Sequence, residues 1–495
     1  MTALTMRQRL HLPKNPLKTI RASTSAEDLR SLFWHLLRIA VSISLLFMDN
    51  TVLLVAVLLA RLRPATDRRQ AASKSVQLYP KTMLITGIGT SHGLALARAW
   101  EAEGHRVVGA DVADLDLPIR SGGSMSKALV AFYRIRKDHY MSRILDIINR
   151  EKVDLWIPCS PKATALEDAT ARQVIESRTS CRCIAFDTEL ITCFVHPDSF
   201  REFLVERDLP ALAYYQVQSR DSIHKILHRA PTKSYRLSSS GSETVVSLPK
   251  RTISKTYSEV SQIKISKEYP WVLQQQPRLG EFFADVLVVR GDVHAVKVRL
   301  ADARSPHWGA SRLDEALAAA VLRLMKSFAA KGGPRMTGHL SVRLLVDEEF
   351  DVSSVRHTIH IADCIPGAAA VENLLRDAPC PVSGYIAALH SGPTESPAWK
   401  VTATLSPNKP PKWTFLENER VISHLKRFLP LDFAKDMITT LEAELRPFLF
   451  WTDPQFLFLD PLPWWWHVHV YQPLREIWVL MKQTRAAGLA GRFDG

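Results

Sequence analysis

Three glycines follow a short apolar segment. Thr82 to Thr86 (TMLIT) runs into Gly87-Ile-Gly89-Thr-Ser-His-Gly93, and Asp111 stands 24 residues beyond Gly87. A glycine turn between a strand and a helix can bring backbone N–H groups to a pyrophosphate, with a later acid on the ribose. The spacing here is GxGxxxG, so two readings stand: a dinucleotide site, or glycines that only let a strand turn tightly into its helix. Further on, Gly241 in the SSSGS stretch 238–242 can admit a phosphate to the backbone or simply close a hairpin. Gln275 and Gln276 end an apolar strand, and Glu281 follows Gly280. Asp363 ends another apolar strand, where an unpaired carboxylate is costly. Tyr133 and Lys137 have the YxxxK spacing of some oxidoreductases but stand too early in the chain, and no Cys/His pair accompanies the glycine turn. His467 and His469 alternate, pointing one way if the segment is a strand, as metal ligands or as ordinary packed histidines. The six cysteines (159, 181, 183, 193, 364, 380) form no CxxC pair, which argues against zinc and a disulfide framework and fits a reducing compartment.

The elements that must position these residues follow from pattern. Strands at 82–86, 105–111, 153–159 and 181–186 alternate with helices over 94–104, 138–150 and 164–178, which predicts a parallel, Rossmann-like sheet over residues 81–195. Beyond residue 200 the rhythm changes. Helices are expected at 199–207, 219–229 and 313–330, and strands at 236–248, 271–277, 282–300 with an Arg290-Gly-Asp292 turn, 339–350 and 358–363. That is an antiparallel α+β body. Residues 376–410 are rich in Pro and Ser and read as an irregular loop; 411–495 read as a helical, aromatic extension carrying Trp464, Trp465 and Trp466, which suit either core packing or an interfacial aromatic belt.

Charge and hydropathy add a membrane question. The chain has 495 residues and a formal net charge of +14, yet residues 1–80 alone hold twelve basic and four acidic side chains. A basic front end reads first as a membrane-surface feature and second as a nucleic-acid arm, and no nucleic-acid partner is expected. Residues 39–60, between a basic segment (1–38) and a polar linker (61–80), include fourteen large apolar residues and one charge, Asp49. A central Asp opposes insertion by about 2.5–3.5 kcal/mol, and fourteen apolar residues at about 0.3–0.6 kcal/mol each outweigh it. A single span, a hairpin or interfacial insertion turning at Asp49-Asn50 with both basic flanks on the cytosolic side, and a buried soluble helix are the three readings. With 46% apolar and 23% charged residues the remainder is globular, and the expected placement is membrane-associated with the body in the cytosol.

Several fragments in order, TGIGTSHGLALARAWEAEGHRVVGAD, LWIPCSPKATALEDA, QQQPRLGEFFADVLVVRGDVHAV, TGHLSVRL and DPLPWWWHVHVYQP, resemble the fungal ATP-grasp ligases related to the large subunit of carbamoyl phosphate synthase, over roughly residues 81–480. The resemblance implies a Rossmann-like pre-ATP-grasp unit (81–195) and a two-lobed ATP-grasp body (196–375) that binds ATP and Mg²⁺. It implies an ATP-dependent carboxylate–amine ligase, of amino acid type, working through an acyl phosphate on small-molecule carboxylate and amine substrates in specialised metabolism. By the same resemblance Ser238, Gly241, Gln275 and Gln276 contact the nucleotide, Glu281 its ribose or a metal, and Asp363 holds the metal; Lys297 and Arg299, the expected catalytic residues, or Arg343, stand in with positive charge for family lysines that this chain lacks. The chain departs from the pattern at several positions. The lysine of a DKxxF element falls on Pro197, with the aromatic kept as Phe200, and a second lysine falls on Ser238. The acid of TGHLSFDF becomes Arg343, and ADCIPG stands for IECNPR, with Ile365 at the metal-ligating Asn. Those losses leave a second reading, a degenerate homologue acting as a membrane-attached binding or scaffold protein. An NAD(P)-dependent oxidoreductase built on the glycine turn is the third.

Overall fold

The computed structural model describes residues 16–62, 79–113, 119–212, 214–229, 233–239, 242–265, 271–276, 280–301, 315–350, 355–376, 380–389, 403–405, 449 and 453–493. The chain forms two compact units, one of residues 1–64, 115–126 and 414–495, the other of residues 65–114 and 127–413.

The first unit opens with helix α1 (Pro16–Leu62), 47 residues long and so reaching well beyond the apolar stretch 39–60. Its segment Leu32–Leu58 is long and apolar enough to cross a membrane.

The second unit begins with a five-stranded parallel sheet, β1 (Thr82–Thr86), β2 (Arg106–Ala113), β3 (Ala131–Arg136), β4 (Leu155–Pro158) and β5 (Arg182–Cys183), in the order β3-β2-β1-β4-β5. Helices α2 (Ser91–Ala102), α3 (Tyr140–Glu151) and α4 (Ala165–Arg178) connect the strands. Local chemistry sets their ends. Thr90 caps α2 by accepting from the Gly93 N–H, Thr164 and Glu167 form a reciprocal capping box at α4, and Lys152 closes α3 in the left-handed conformation. Strand β3, absent from the sequence-based expectation, pairs in parallel with β2 at the sheet edge, and its residues are mostly half-buried.

Helices α5 (Thr188–Val195) and α6 (Pro197–Glu206) lead into the antiparallel part. A small sheet in the order β6-β9-β7-β8 comprises β6 (Tyr214–Val217), β7 (Ser234–Ser239), β8 (Ser242–Leu248) and β9 (Trp271–Gln276), with helices α7 (Arg220–Arg229) and α8 (Ile253–Gln262) on it. Its core joins Val217, Ile223, Leu237, Val260 and Leu273. A larger sheet in the order β13-β12-β10-β11-β14 comprises β10 (Gly280–Val289), β11 (Asp292–Leu300), β12 (Gly338–Phe350), β13 (Val355–Pro366) and β14 (Ala403–Leu405). The β10–β11 turn is Arg290-Gly291, both at positive φ (52° and 85°), as a two-residue hairpin loop requires.

Alternation divides the large sheet. Phe282, Ala284, Val286 and Val298 face helix α9 (Glu315–Gly332), whose buried residues Leu317, Val321, Met325 and Phe328 recur at helical spacing, together with Phe194, Phe200 and Phe203. On the other face Leu287 and Val289 pack with α10 (Ala368–Leu375), α11 (Val382–Ile386) and the parallel sheet through Ile85, Ile157, Val371 and Tyr385. Much of the rest of that second face is charged. In the first unit, α12 (Leu462–Trp466), a π-helical turn at His467–Tyr471 and α13 (Gln472–Phe493) complete the described chain. His467 and His469 therefore lie on a helical turn rather than on a strand. The expected loop 376–410 contains α11 and β14, and residues 411–448 lie outside the described residues.

Candidate functional site

The glycine turn is consumed by the fold. Gly87 has φ +82°, and a Cβ there would stand 2.6 Å from the backbone of Cys159 and Ser160. At Gly93 it would stand 2.4 Å from the Gly87 carbonyl oxygen. The Asp111 carboxylate accepts from the Gly89 N–H at 3.0 Å, so the acid expected on a ribose holds the turn instead. Tyr133 donates to Glu151, away from any YxxxK role. The three features that raised an oxidoreductase reading thus have structural duties.

The charged half-face of the large sheet is where chemistry concentrates. Across strands, Phe283 faces Arg299 and Arg343, Asp285 faces Lys297 and Ser341, Glu281 faces Leu345, and Arg343 faces Asp363. Because the side-chain period is two, Glu281, Phe283, Asp285, Lys297, Arg299, Ser341, Arg343 and Asp363 share one face. Asp285 is fully buried; its carboxylate accepts from Ser341 Oγ at 2.5 Å and from Arg299 Nε at 2.9 Å. Burial pushes its pKa up, while Ser341, Arg299 and Lys297 pull the other way. The Arg299 guanidinium also lies over the Phe283 ring, 4.2 Å from its centroid. Lys297 is buried, and its ammonium donates to the Asn373 carbonyl at 3.0 Å and to that of Arg376, at the C-terminal end of α10. Lys297, expected to supply catalytic charge, is therefore a helix-end ligand.

Arg343 sits between two acids. Its Nε and Nη2 donate to Asp363 Oδ2 at 2.7 and 2.5 Å, and Nη1 lies 3.5 Å from Glu281 Oε2. All three side chains are partly exposed, so they form an open charged patch rather than a buried pair. In the small sheet, buried Gln275 donates from Nε2 to Asp347 Oδ2 at 2.8 Å, a link to the end of β12, and accepts from Lys233 Nζ at 3.4 Å. Ser238 is half-buried in β7 opposite Val272 and Val245. The backbone of Gln276 pairs with Ser234, and Gly241 lies outside the described residues.

Magnesium does not fit this arrangement. Asp363, the expected ligand, has an oxygen bound twice by a guanidinium, the next acid is bound by the same group, and among the described residues no three His, Cys, Asp or Glu side chains gather as a metal site. Arg343 already occupies the two carboxylates with a single positive charge. A nucleotide fares better: the part-exposed guanidinium groups of Arg299 and Arg343, with Lys233 near Gln275, are donors of the kind a polyphosphate needs. Sequence reasoning named Gln275, Glu281, Arg299, Arg343 and Asp363 but missed Asp285, Asp347 and Ser341; alternation along β10 puts Asp285 in phase with Glu281 and was the available signal.

One further acid is buried elsewhere. Asp168 on α4 accepts from Tyr140 Oη at 2.6 Å, and burial pushes its pKa up to about 7.

No family model and no curated protein matches the chain. Among solved structures it is similar to the biotin carboxylase subunit of pyruvate carboxylase (12% identity, 61% of this chain and 71% of that one, TM-score 0.43). It is also similar to an L-amino acid ligase from Bacillus licheniformis (14%, 60% and 69%, TM-score 0.37) and to the purK N5-carboxyaminoimidazole ribonucleotide synthetase in complex with ADP (16%, 59% and 71%, TM-score 0.35).

Proposed function

We propose that the second unit is an ATP-grasp-type nucleotide-binding body, attached to a membrane through the first unit, of the class that joins a carboxylate to an amine at the expense of ATP. The observation that carries this reading is the pairing of a small antiparallel sheet, tied at Gln275 to Asp347, with a larger sheet whose charged half-face presents Glu281, Asp285, Arg299, Arg343 and Asp363. In this reading Gln275 and Gln276 border the base, Ser238 and Gly241 border the phosphates, and Arg299 and Arg343 meet phosphate oxygens. The substrate class, amino-acid-type acids and amines of specialised metabolism, follows the sequence resemblance alone.

A second reading is favoured by one observation. Arg343 pairs with both Asp363 and Glu281, so a fixed guanidinium occupies the carboxylates that would otherwise hold the cation phosphoryl transfer draws on. Under it the chain keeps the nucleotide site as a binding protein without turnover.

Calorimetry of the full chain in non-ionic detergent with ATP, in EDTA and in Mg²⁺, tests both. Binding in either condition, with ADP release in the presence of mixed acids and amines, supports the ligase. Binding without ADP release supports the second reading. No binding at millimolar ATP by the folded chain sinks both.

A further inference from the structure

Helix α1 is inverted relative to a surface helix of a water-soluble protein. Its buried positions Ser42, Asp49 and Ala56 recur every seven residues, and His35, Arg38, Ser42, Asp49 and Asn50 turn toward the C-terminal segment of the same unit, while Ser44 and Thr51 are exposed and bond to the helix's own carbonyls. His35 and Arg38 pair with Glu476, Ser42 Oγ donates to the Val468 carbonyl at 3.0 Å, and Asp49 Oδ2 lies 2.9 Å from His469 Nε2. Asn50 Oδ1 accepts from Trp465 Nε1 at 2.9 Å. The opposite stripe, Phe33, Leu36, Ile43, Phe47, Leu54 and Leu58, is exposed, Phe47 to 83%. A helix that pairs its ionisable groups at 35, 38 and 49 inward and shows large apolar side chains outward is built for a solvent other than water.

The neighbours of the midpoint decide how such a helix meets lipid. If α1 crossed the bilayer end to end, Asp49 and Asn50 would lie near its centre. Their partners Trp465 and His469 belong to a segment packed on a short 3-10 turn (Gly122–Met125) and its non-helical, polar flanks: Pro463 O and His467 crowd Gly122, Trp466 Nε1 donates to the Arg120 carbonyl at 3.1 Å, and Ser126 Oγ donates to Asp460 at 2.6 Å. Irregular backbone does not face hydrocarbon at mid-bilayer depth, because its N–H and C=O groups find no partner there. An in-plane helix removes the conflict, with the exposed stripe in one leaflet and the polar turn in water. Charge agrees with an anionic lipid surface. Residues 1–80 hold twelve basic and four acidic side chains, and on α13 the exposed Leu474, Ile477 and Met481 are interleaved with exposed Arg475 and Lys482.

We propose that α1 lies in the plane of an anionic phospholipid membrane as a one-leaflet anchor, held in that posture by the C-terminal segment 462–482, so that both chain ends stay on one side. The proposal rests on the membrane attachment proposed above and specifies its geometry.

The test uses the full chain with an N-terminal epitope tag, added from outside to sealed vesicles of roughly three parts phosphatidylcholine to one part phosphatidylserine, then floated and treated with protease. The expected result is flotation with the tag and the C-terminus both digested. Ile43→Asp with Phe47→Asp should lower the floated fraction at least about tenfold, since each change withdraws a largely exposed apolar side chain of the stripe, while the far-UV circular dichroism is unchanged. A protected tag or protected C-terminus overturns the in-plane geometry and leaves membrane attachment standing. Unaltered flotation of the double variant overturns the assignment of the stripe as the lipid contact. Failure of the unmodified chain to float overturns the attachment itself.

Discussion

Replacing Arg299 by Met separates a structural from a catalytic assignment of the charged half-face. Asp285 is fully buried and receives two bonds, from Ser341 Oγ at 2.5 Å and Arg299 Nε at 2.9 Å, with Lys297 directly across the strand. Removing one partner of a buried ion pair costs about 3–5 kcal/mol. Arg299 is 25% exposed and Ser341 stays, which moves the expected loss to or below the bottom of that range, about 2–3 kcal/mol at pH 8. With a urea dependence of about 2–3 kcal/mol per molar, the unfolding midpoint of the full chain in detergent should fall by about 1 M. The effect must depend on pH. Burial raises the folded-state pKa of Asp285 above its unfolded value, so the folded state binds the extra proton, and the stability this group contributes is present at low pH and lost as pH rises through the folded pKa. Removing Arg299 raises that pKa further, so the gap between variant and parent should widen from pH 5 to pH 8. Asp285→Asn in the same chain should restore most of the loss, because the amide carries no charge to strand. A gap that is flat with pH, or a double variant as unstable as Arg299→Met alone, would refute the reasoning.

Other consequences follow from the same physics. Asp168→Asn should match the parent near pH 4 and exceed it increasingly up to pH 8 in urea midpoint: with a folded pKa of about 7, the native carboxyl forfeits about 3–4 kcal/mol between pH 4 and pH 8, and the amide has no such slope. Gly87→Ala places a Cβ 2.6 Å from the Cys159 and Ser160 backbone at φ +82°, so it should cost about 3 kcal/mol or more, seen as a drop in soluble yield and melting temperature. Arg343→Asp turns the Asp363 and Glu281 pair into three neighbouring carboxylates. The variant should remove the free Mn²⁺ signal in electron paramagnetic resonance at stoichiometric metal, whereas the parent should leave it intact; metal capture by the parent would contradict the ion-pair reading.

Much of the architecture is readable from local pattern, and the failures have physical causes. The β1-turn-α2-β2 unit, the Arg290-Gly291 hairpin and the α9 stripe were legible because each is fixed by residues close in sequence. Strand β3 was missed: AFYRIR lies at a sheet edge, mostly half-buried, and lacks the continuous apolar run of a central parallel strand. Helix α8 was missed as well, since ISKTYSEVSQ buries only Thr256 and Val260 and is rich in residues that favour caps and turns. At the site, residue types were readable and partners were not. Nothing local in VKVRL distinguishes Lys297, which ends on the carbonyls of α10, from Arg299, which ends on Asp285; the two lie on the same face and differ in what folds over them.

The same long-range pairing bears on turnover. Phosphoryl transfer is accelerated by cations aimed at charge that develops during the reaction. On this sheet Arg299 is held by Asp285 and Arg343 by Asp363 and Glu281, so each guanidinium already faces a carboxylate before any substrate arrives. A polyphosphate entering here must compete with those acids, and a divalent ion must displace Arg343 to reach them. Metal and nucleotide should therefore not reinforce one another: ATP affinity in EDTA should equal or exceed that in Mg²⁺. An ATP affinity that rises tenfold with Mg²⁺ would show that Arg343 swings away from Asp363 and that a metal takes its place.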